Sequence, residues 1–188
     1  SALQSVGSYD FTENFTYVKP WLKQADLVLG DFEGTINPDY PLSGYPLFNA
    51  PQSVTAAIKD AGYDVMDLAH NHILDSGLEG AFTTADALKK VGIDPIGVYE
   101  KPVRDKAPLL IKNVNGIKVA ILSYAYGYNG LESNLTDKEV ADHLSNLDEK
   151  RMKSEIQRAE RISRLSCLRW VLNIVWNRQM NRLNSIIR

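Results

Sequence analysis

Between residues 11 and 163 short unbroken apolar runs alternate with longer stretches whose apolar positions recur every three to four residues. Runs at 27–29, 65–68, 109–114 and 118–123 predict strands buried between layers, and amphipathic stretches at 15–24, 53–61, 78–90 and 147–161 predict helices. That rhythm is the pattern of an α/β domain whose helices cover a sheet. Asn115-Gly116 separates the last two runs and predicts a tight hairpin, because both residues tolerate positive φ. Ser53 or Asn49 is placed to cap the second helix and Ser76 the third. Gly92 stops the third just after Lys89-Lys90, a basic pair that suits a helix C-terminus. Residues 37–51, rich in Pro, Gly and Asn, form a connection long enough to suggest a functional loop. No internal repeat is present.

Composition narrows the classes. A chain of 188 residues with 44% hydrophobic side chains can bury one substantial core. A net charge of -2 supplies no global attraction to nucleic acid or to an anionic membrane, so neither is an expected partner. Cys167 is the only cysteine, which excludes an intrachain disulfide framework and a multi-cysteine zinc site. No apolar run approaches the roughly 20 residues of a membrane span, and residues 1–10 lack the charge and apolar core of a secretory signal; the expectation is a soluble domain.

Two constellations carry chemistry. Gly30-Asp31-Phe32-Glu33-Gly34 follows the first strand, and ligands in open α/β sheets collect beyond strand C-termini, where two carboxylates suit a hard cation. Taken alone, this pentapeptide is more often a capped turn or an ion pair. The second strand runs into His70-Asn71-His72, with Asp75 three residues on. Imidazole, amide and carboxylate together suit Mn, Fe or Zn, and imidazole can protonate a leaving group. Asp75 is placed to accept a ring N–H and fix one tautomer of His72, or else to begin the Asp-Ser-Gly turn before the next helix. Tyr124, Tyr126 and Tyr128 follow the last strand, and half-buried packing is the simpler reading of their alternation.

These blocks, Ala-Asp-Leu-Val-Leu-Gly-Asp-Phe-Glu-Gly at 25–34 and Leu-Ala-His-Asn-His-Ile-Leu-Asp-Ser-Gly at 68–77, resemble the bacterial capsule-synthesis (CapA-type, poly-γ-glutamate) family in order and spacing. Thr84, Leu88, Gly92, Ile93 and Gly97 continue the likeness, which covers about 15–161. Asp31 and His70 stand where that family more often has Asn. The resemblance implies a metallophosphatase-like (calcineurin-like) layered sheet with flanking helices and a divalent metal, Mn, Fe or Zn. Asp31, Glu33, Asn71 and His72 would be the metal-side residues, with His72, His70 and Asp75 the catalytic or supporting ones. It also implies a capsule or polyglutamate polymer or precursor, and capsule-synthesis machinery, as partners, a bacterial surface or membrane-associated location, and membrane contact only through segments outside this sequence. An early Gly-Asp block and a late His-rich block of the related fold are not in this sequence, so the site is expected to be incomplete and the chain to have little activity.

After Arg161 the text changes. Lysine and acidic residues stop while Arg, Asn and Trp become dense. One reading is a basic amphipathic helix with Leu165, Leu168, Leu172, Val175, Leu183 and Ile186 on one face. The other, which we favour, is a reading-frame slip, because compatible codons read one nucleotide earlier spell ordinary charge-balanced protein text. The expected division is therefore a partial domain at 1–163 and an out-of-frame tail at 164–188.

Overall fold

The computed structural model describes residues 3–5, 8–103, 106–163 and 168–174. Three sheets appear in it. The hairpin β1 (Leu3–Ser5) and β2 (Ser8–Asp10) precedes a short helix α1 (Lys19–Leu22). The central parallel sheet has the order β3 (Leu29–Asp31), β4 (Val65–Asp67), β5 (Asp94–Ile96). Helix α2 (Val54–Ala61) connects the first pair and α3 (Gly77–Lys90) the second. The remaining sheet joins β6 (Leu110–Val114) antiparallel to β7 (Ile117–Tyr124), and β7 parallel to β8 (Leu168–Ile174). Helices α4 (Asp137–His143) and α5 (Glu149–Ser163) lie between β7 and β8 in the chain.

The two larger sheets meet through Val65 and Ile96 on one side and Val119 and Ile121 on the other, with Leu27, Leu29 and Leu110 filling the margin. The second core lies under the helices, where Ile58, Leu68, Ile73, Ala81 and Leu88 are buried together. Burying such side chains stabilises by about 1.5–3 kcal/mol each, so it is this sandwich that holds the strand ends in register. Helix α5 is further tied down by a polar contact inside the core. Glu155 accepts from the Tyr124 hydroxyl and, at 2.9 Å, from Arg151 Nε, while Arg151 also donates to the Leu144 carbonyl at 2.9 Å.

Most expected elements are found within a few residues of their predicted bounds, and the hairpin has Asn115 at φ 50° and Gly116 at φ 84°. The expected first helix divides into a 3₁₀ turn, Thr12–Phe15, and α1, because Pro20 enters at a helix start. Neither expected serine cap operates: Ser53 makes no capping bond, and the Ser76 hydroxyl instead donates to Thr35 Oγ1 at 2.7 Å. Asn49 is not a cap either; it organises the loop described below. The tail is described only at 168–174, where the backbone is a strand and not the amphipathic helix considered from sequence; its other residues lie outside the described ones.

Gly97, directly after β5, lets the backbone pass against the β4 exit. A Cβ at Gly97 would lie 2.6 Å from the Ala69 nitrogen and 2.7 Å from its Cβ, and the residue has φ +102°. Substitution Gly97→Ala should therefore cost about 2–4 kcal/mol of unfolding free energy. Equilibrium denaturation measures it, and a change inside experimental error would contradict this account of the contact.

Candidate functional site at the strand ends

Parallel pairing sets Asp31 opposite Asp67 at the C-terminal ends of β3 and β4. The next amide, of Phe32, donates to the Asp67 carbonyl at 3.1 Å, so the two chains leave the sheet together. Asp67 is buried, and its Oδ1 accepts from the Ala69 amide at 2.8 Å and from the Ser123 hydroxyl of β7. Glu33, one turn further on, is exposed, and its carboxylate accepts no hydrogen bond among the described residues. Lost hydration, then the like charges of Asp67 and Glu33, push the Asp31 carboxyl up to about 7.

The β4 exit supplies the second group. His70 is fully buried, its Nδ1 accepts from the His72 amide at 3.2 Å, and its Nε2 has no hydrogen-bond partner of good geometry. Burial, then the neighbouring His72, lowers the His70 ring to about 4, with the Phe32 carbonyl opposing the shift. His70 is thus a neutral ring wedged between the two strand exits.

His72 faces outward from there. Its Nδ1 lies 2.9 Å from Asp75 Oδ2, and the same oxygen accepts from the Phe48 amide at 2.6 Å. The Asp75 side chain is buried, so the pair fixes the tautomer with the proton on Nδ1 and leaves Nε2 as a free lone pair. The Phe48 ring meets the imidazole edge-on, with centroids 4.7 Å apart. Asn71 Nδ2 donates to Asn129 Oδ1 at 3.1 Å, and Asn129 Nδ2 lies 3.5 Å from His72 Nδ1. Asn129 holds this position at φ 56°.

The structure therefore brings Asp31 and Glu33 together, and separately His70, Asn71, His72 and Asp75. Gly34 and Phe48 join the two groups, since a Cβ at Gly34 would lie 3.2 Å from the Phe48 Cβ. Three contributors were not singled out from sequence. Asp67 was readable from the parallel alignment of the first two strands, whereas Phe48 and Asn129 arrive from distant loops with no local signal. Of the tyrosines, Tyr124 and Tyr128 pack more deeply than the half-buried arrangement expected, both being buried, while Tyr126 is exposed.

The donors suit a divalent cation in kind: a free carboxylate on Glu33, a free imidazole nitrogen on His72 and an amide oxygen on Asn71. They do not complete a shell, because no three carboxylate, imidazole or thiol side chains among the described residues stand close enough to hold an ion. Charge is equally one-sided. The chain has no Lys or Arg between Lys23 and Lys59, between Lys59 and Lys89, or between Lys118 and Lys138, the segments that build this crevice. A separate cleft of about 650 Å³, between α4 and α5 and lined by Val140, Leu144, Lys150 and Arg151, contains none of the site residues.

Layered sheets with flanking helices and polar side chains at the parallel strand ends define a mixed α/β protein whose fold is metallophosphatase-like. The sulfate thiohydrolase SoxB of Thermus thermophilus superposes with a TM-score of 0.51 over 93% of this chain and 31% of its own, at 15% identity, which shows the shared fold. The chain belongs to the family described as bacterial capsule synthesis protein PGA_cap, whose model matches residues 1–177. Among relatives, the capsule biosynthesis protein CapA of Bacillus anthracis is 32% identical over 63% of this chain and 30% of its own length. The PGA biosynthesis protein CapA of Bacillus subtilis is 26% identical over 58% and 30%. The chain thus spans under a third of these relatives.

The two shifted groups give opposite pH dependences. Asp31, raised from 3.8 to about 7, keeps its proton in the folded chain after the unfolded chain has lost it, so its contribution falls as pH rises through that window. His70, lowered from 6.5 to about 4, stays neutral when the unfolded chain is already protonated, so stability is lost as pH falls through that range. Asp31→Asn should then stabilise the chain at pH 8 by about 1 kcal/mol, the full shift being discounted for solvent screening. The gain should vanish at about pH 4. Thermal melts at the two pH values check this, and an equal gain at both would contradict the crowded-carboxylate explanation.

Proposed function

We propose that this chain contributes the strand-end site of a capsule-assembly protein that transfers or cleaves a phosphate or acyl linkage in the capsule polymer or its precursor. What carries the reading is the His72–Asp75 pair, which occupies the Nδ1 face of the imidazole next to Asn71 and leaves Nε2 for a substrate. In that geometry Nε2 exchanges a proton with a substrate oxygen while the buried Asp75 carboxylate stabilises the imidazolium that forms. His70 holds the two strand exits apart without changing charge near neutral pH. Poly-γ-glutamate is the polymer the family likeness suggests, and a bacterial surface or membrane-associated setting goes with it. No helix among the described residues is long and apolar enough to cross a membrane.

A divalent metal, Mn, Fe or Zn, belongs to this reading as a weakly held partner, because the described donors stop short of a full shell. Calorimetric titration with Mn²⁺ or Zn²⁺ should give a Kd no tighter than roughly 10⁻⁴ M. Glu33→Ala and Asn71→Ala should each weaken it at least tenfold. Unchanged binding in both variants would remove Glu33 and Asn71 from the ligand set. The same incomplete shell favours a second reading, a non-catalytic surface or partner-binding module. A metal-dependent phosphodiesterase signal that disappears in His72→Asn would decide against that module.

A further inference from the structure

We propose that Asn129 is a positioning residue of the strand-end site: by accepting from Asn71 Nδ2 it fixes which end of the Asn71 amide is left for a ligand, and that end is the oxygen. The inference deepens the function proposed above and rests on it, because it concerns how one donor of that site is oriented. Asn129 lies in the turn after β7, 58 residues along the chain from Asn71, yet its Oδ1 stands 3.1 Å from Asn71 Nδ2. Asn71 Oδ1 accepts no hydrogen bond among the described residues. The two ends of an asparagine amide are nearly alike in shape but opposite in polarity, so a side chain free to rotate offers a donor as readily as an acceptor. A cation needs the oxygen, and the amide protons repel it.

The role falls on Asn71 and not on the neighbouring imidazole. Asn129 Nδ2 is 3.5 Å from His72 Nδ1, but the proton on that ring nitrogen is directed to Asp75 Oδ2 at 2.9 Å. Donor therefore meets donor, and no hydrogen bond forms between Asn129 and the ring. His72 is already oriented by Asp75, which leaves the bond to Asn71 as the one thing the Asn129 side chain does.

The turn is built to hold that side chain still. Asn129 is exposed and sits at φ 56°, followed by Gly130 at φ 83°, a left-handed pair that asparagine and glycine tolerate. On one side Tyr128 is buried in the core, and its hydroxyl donates to Asn146 Oδ1 at 2.6 Å. On the other the Leu131 amide donates to the Tyr128 carbonyl at 2.9 Å, and the Ser133 amide and hydroxyl donate to the Gly130 carbonyl at 3.2 and 2.7 Å. Burial therefore does not account for Asn129, whereas its contact with Asn71 does. The same strand supplies Ser123, whose hydroxyl donates to Asp67, so β7 and its exit support the site at two points. Partners of this kind, which orient a ligand without touching the bound ion, carry a share of the affinity.

The test uses Asn129→Gly, which removes the acceptor while suiting the left-handed backbone, so the melting temperature should not fall. In the full chain with EDTA present, the Asn71 side-chain amide protons should exchange with water faster by about fivefold or more in Asn129→Gly. Asn129→Asp keeps the accepting oxygen and should retain the wild-type exchange rate. Titration with Mn²⁺ should show Asn129→Gly weakening the Kd by about threefold or more in the wild-type background. In the Asn71→Ala background the same change should cost less than about 1.5-fold, because a residue acting through Asn71 has nothing left to position there. Unchanged exchange at Asn71 in Asn129→Gly overturns the proposal, as does an unaltered Mn²⁺ affinity or an equal loss in both backgrounds. A wild-type chain that binds no Mn²⁺ defeats the metal reading of the function alone; the exchange comparison, made without metal, still decides the role of Asn129.

Discussion

Parallel pairing of β3 with β4 is the constraint from which the crevice follows. The register that sets Leu29 beside Val65 also sets Asp31 beside Asp67, so two carboxylates leave the sheet at one level. Their mutual repulsion is tolerated because the buried Asp67 is satisfied by the Ala69 amide and the Ser123 hydroxyl, while Asp31 can take up a proton. Asp67 thus links the chemistry of one sheet to the second sheet through Ser123. The aligned exits then bring Glu33 and the His70-Asn71-His72 turn to neighbouring edges, with the neutral His70 packed between them.

The loop at 37–51 converts that alignment into a shaped site. Asn49 bonds four backbone groups, the Asn37 amide and the carbonyls of Asn37, Tyr40 and Pro41, and so closes the loop on itself. Its benefit to the site is indirect, since only a closed loop can deliver the Phe48 amide to Asp75 and its ring to His72. One buried amide side chain far from the chemistry therefore sets the orientation of the imidazole.

Much of the fold was legible because it rests on local patterns. The apolar runs marked β4, β6 and β7, the Asn-Gly pair marked the hairpin, and the amphipathic stretches marked α2, α3 and α5. β5 was not among the predicted strands because it is three residues long and contains Pro95, tolerated at the margin of a sheet. Helix α4 escaped because it is short and polar, and it starts from a capping box between Thr136 and Glu139. Ser76 misled for a related reason: a hydroxyl before a helix looks like a cap, but Thr35 from a distant segment claimed it. At the site, the strand-end residues were readable from order and spacing. Their partners Phe48 and Asn129 were not, because tertiary packing alone brings them in.

The crossover arrangement also governs when the crevice comes into being. Its carboxylates and imidazoles leave the ends of β3 and β4, strands separated in the chain by α2 and adjacent only in the folded sheet, so the site is assembled by that pairing and not by any local segment. Any ligand of the pocket must then bind the native state alone and shift the melting transition upward with concentration. Occupancy thereby doubles as a quality signal, distinguishing chains that have finished folding from those that have not.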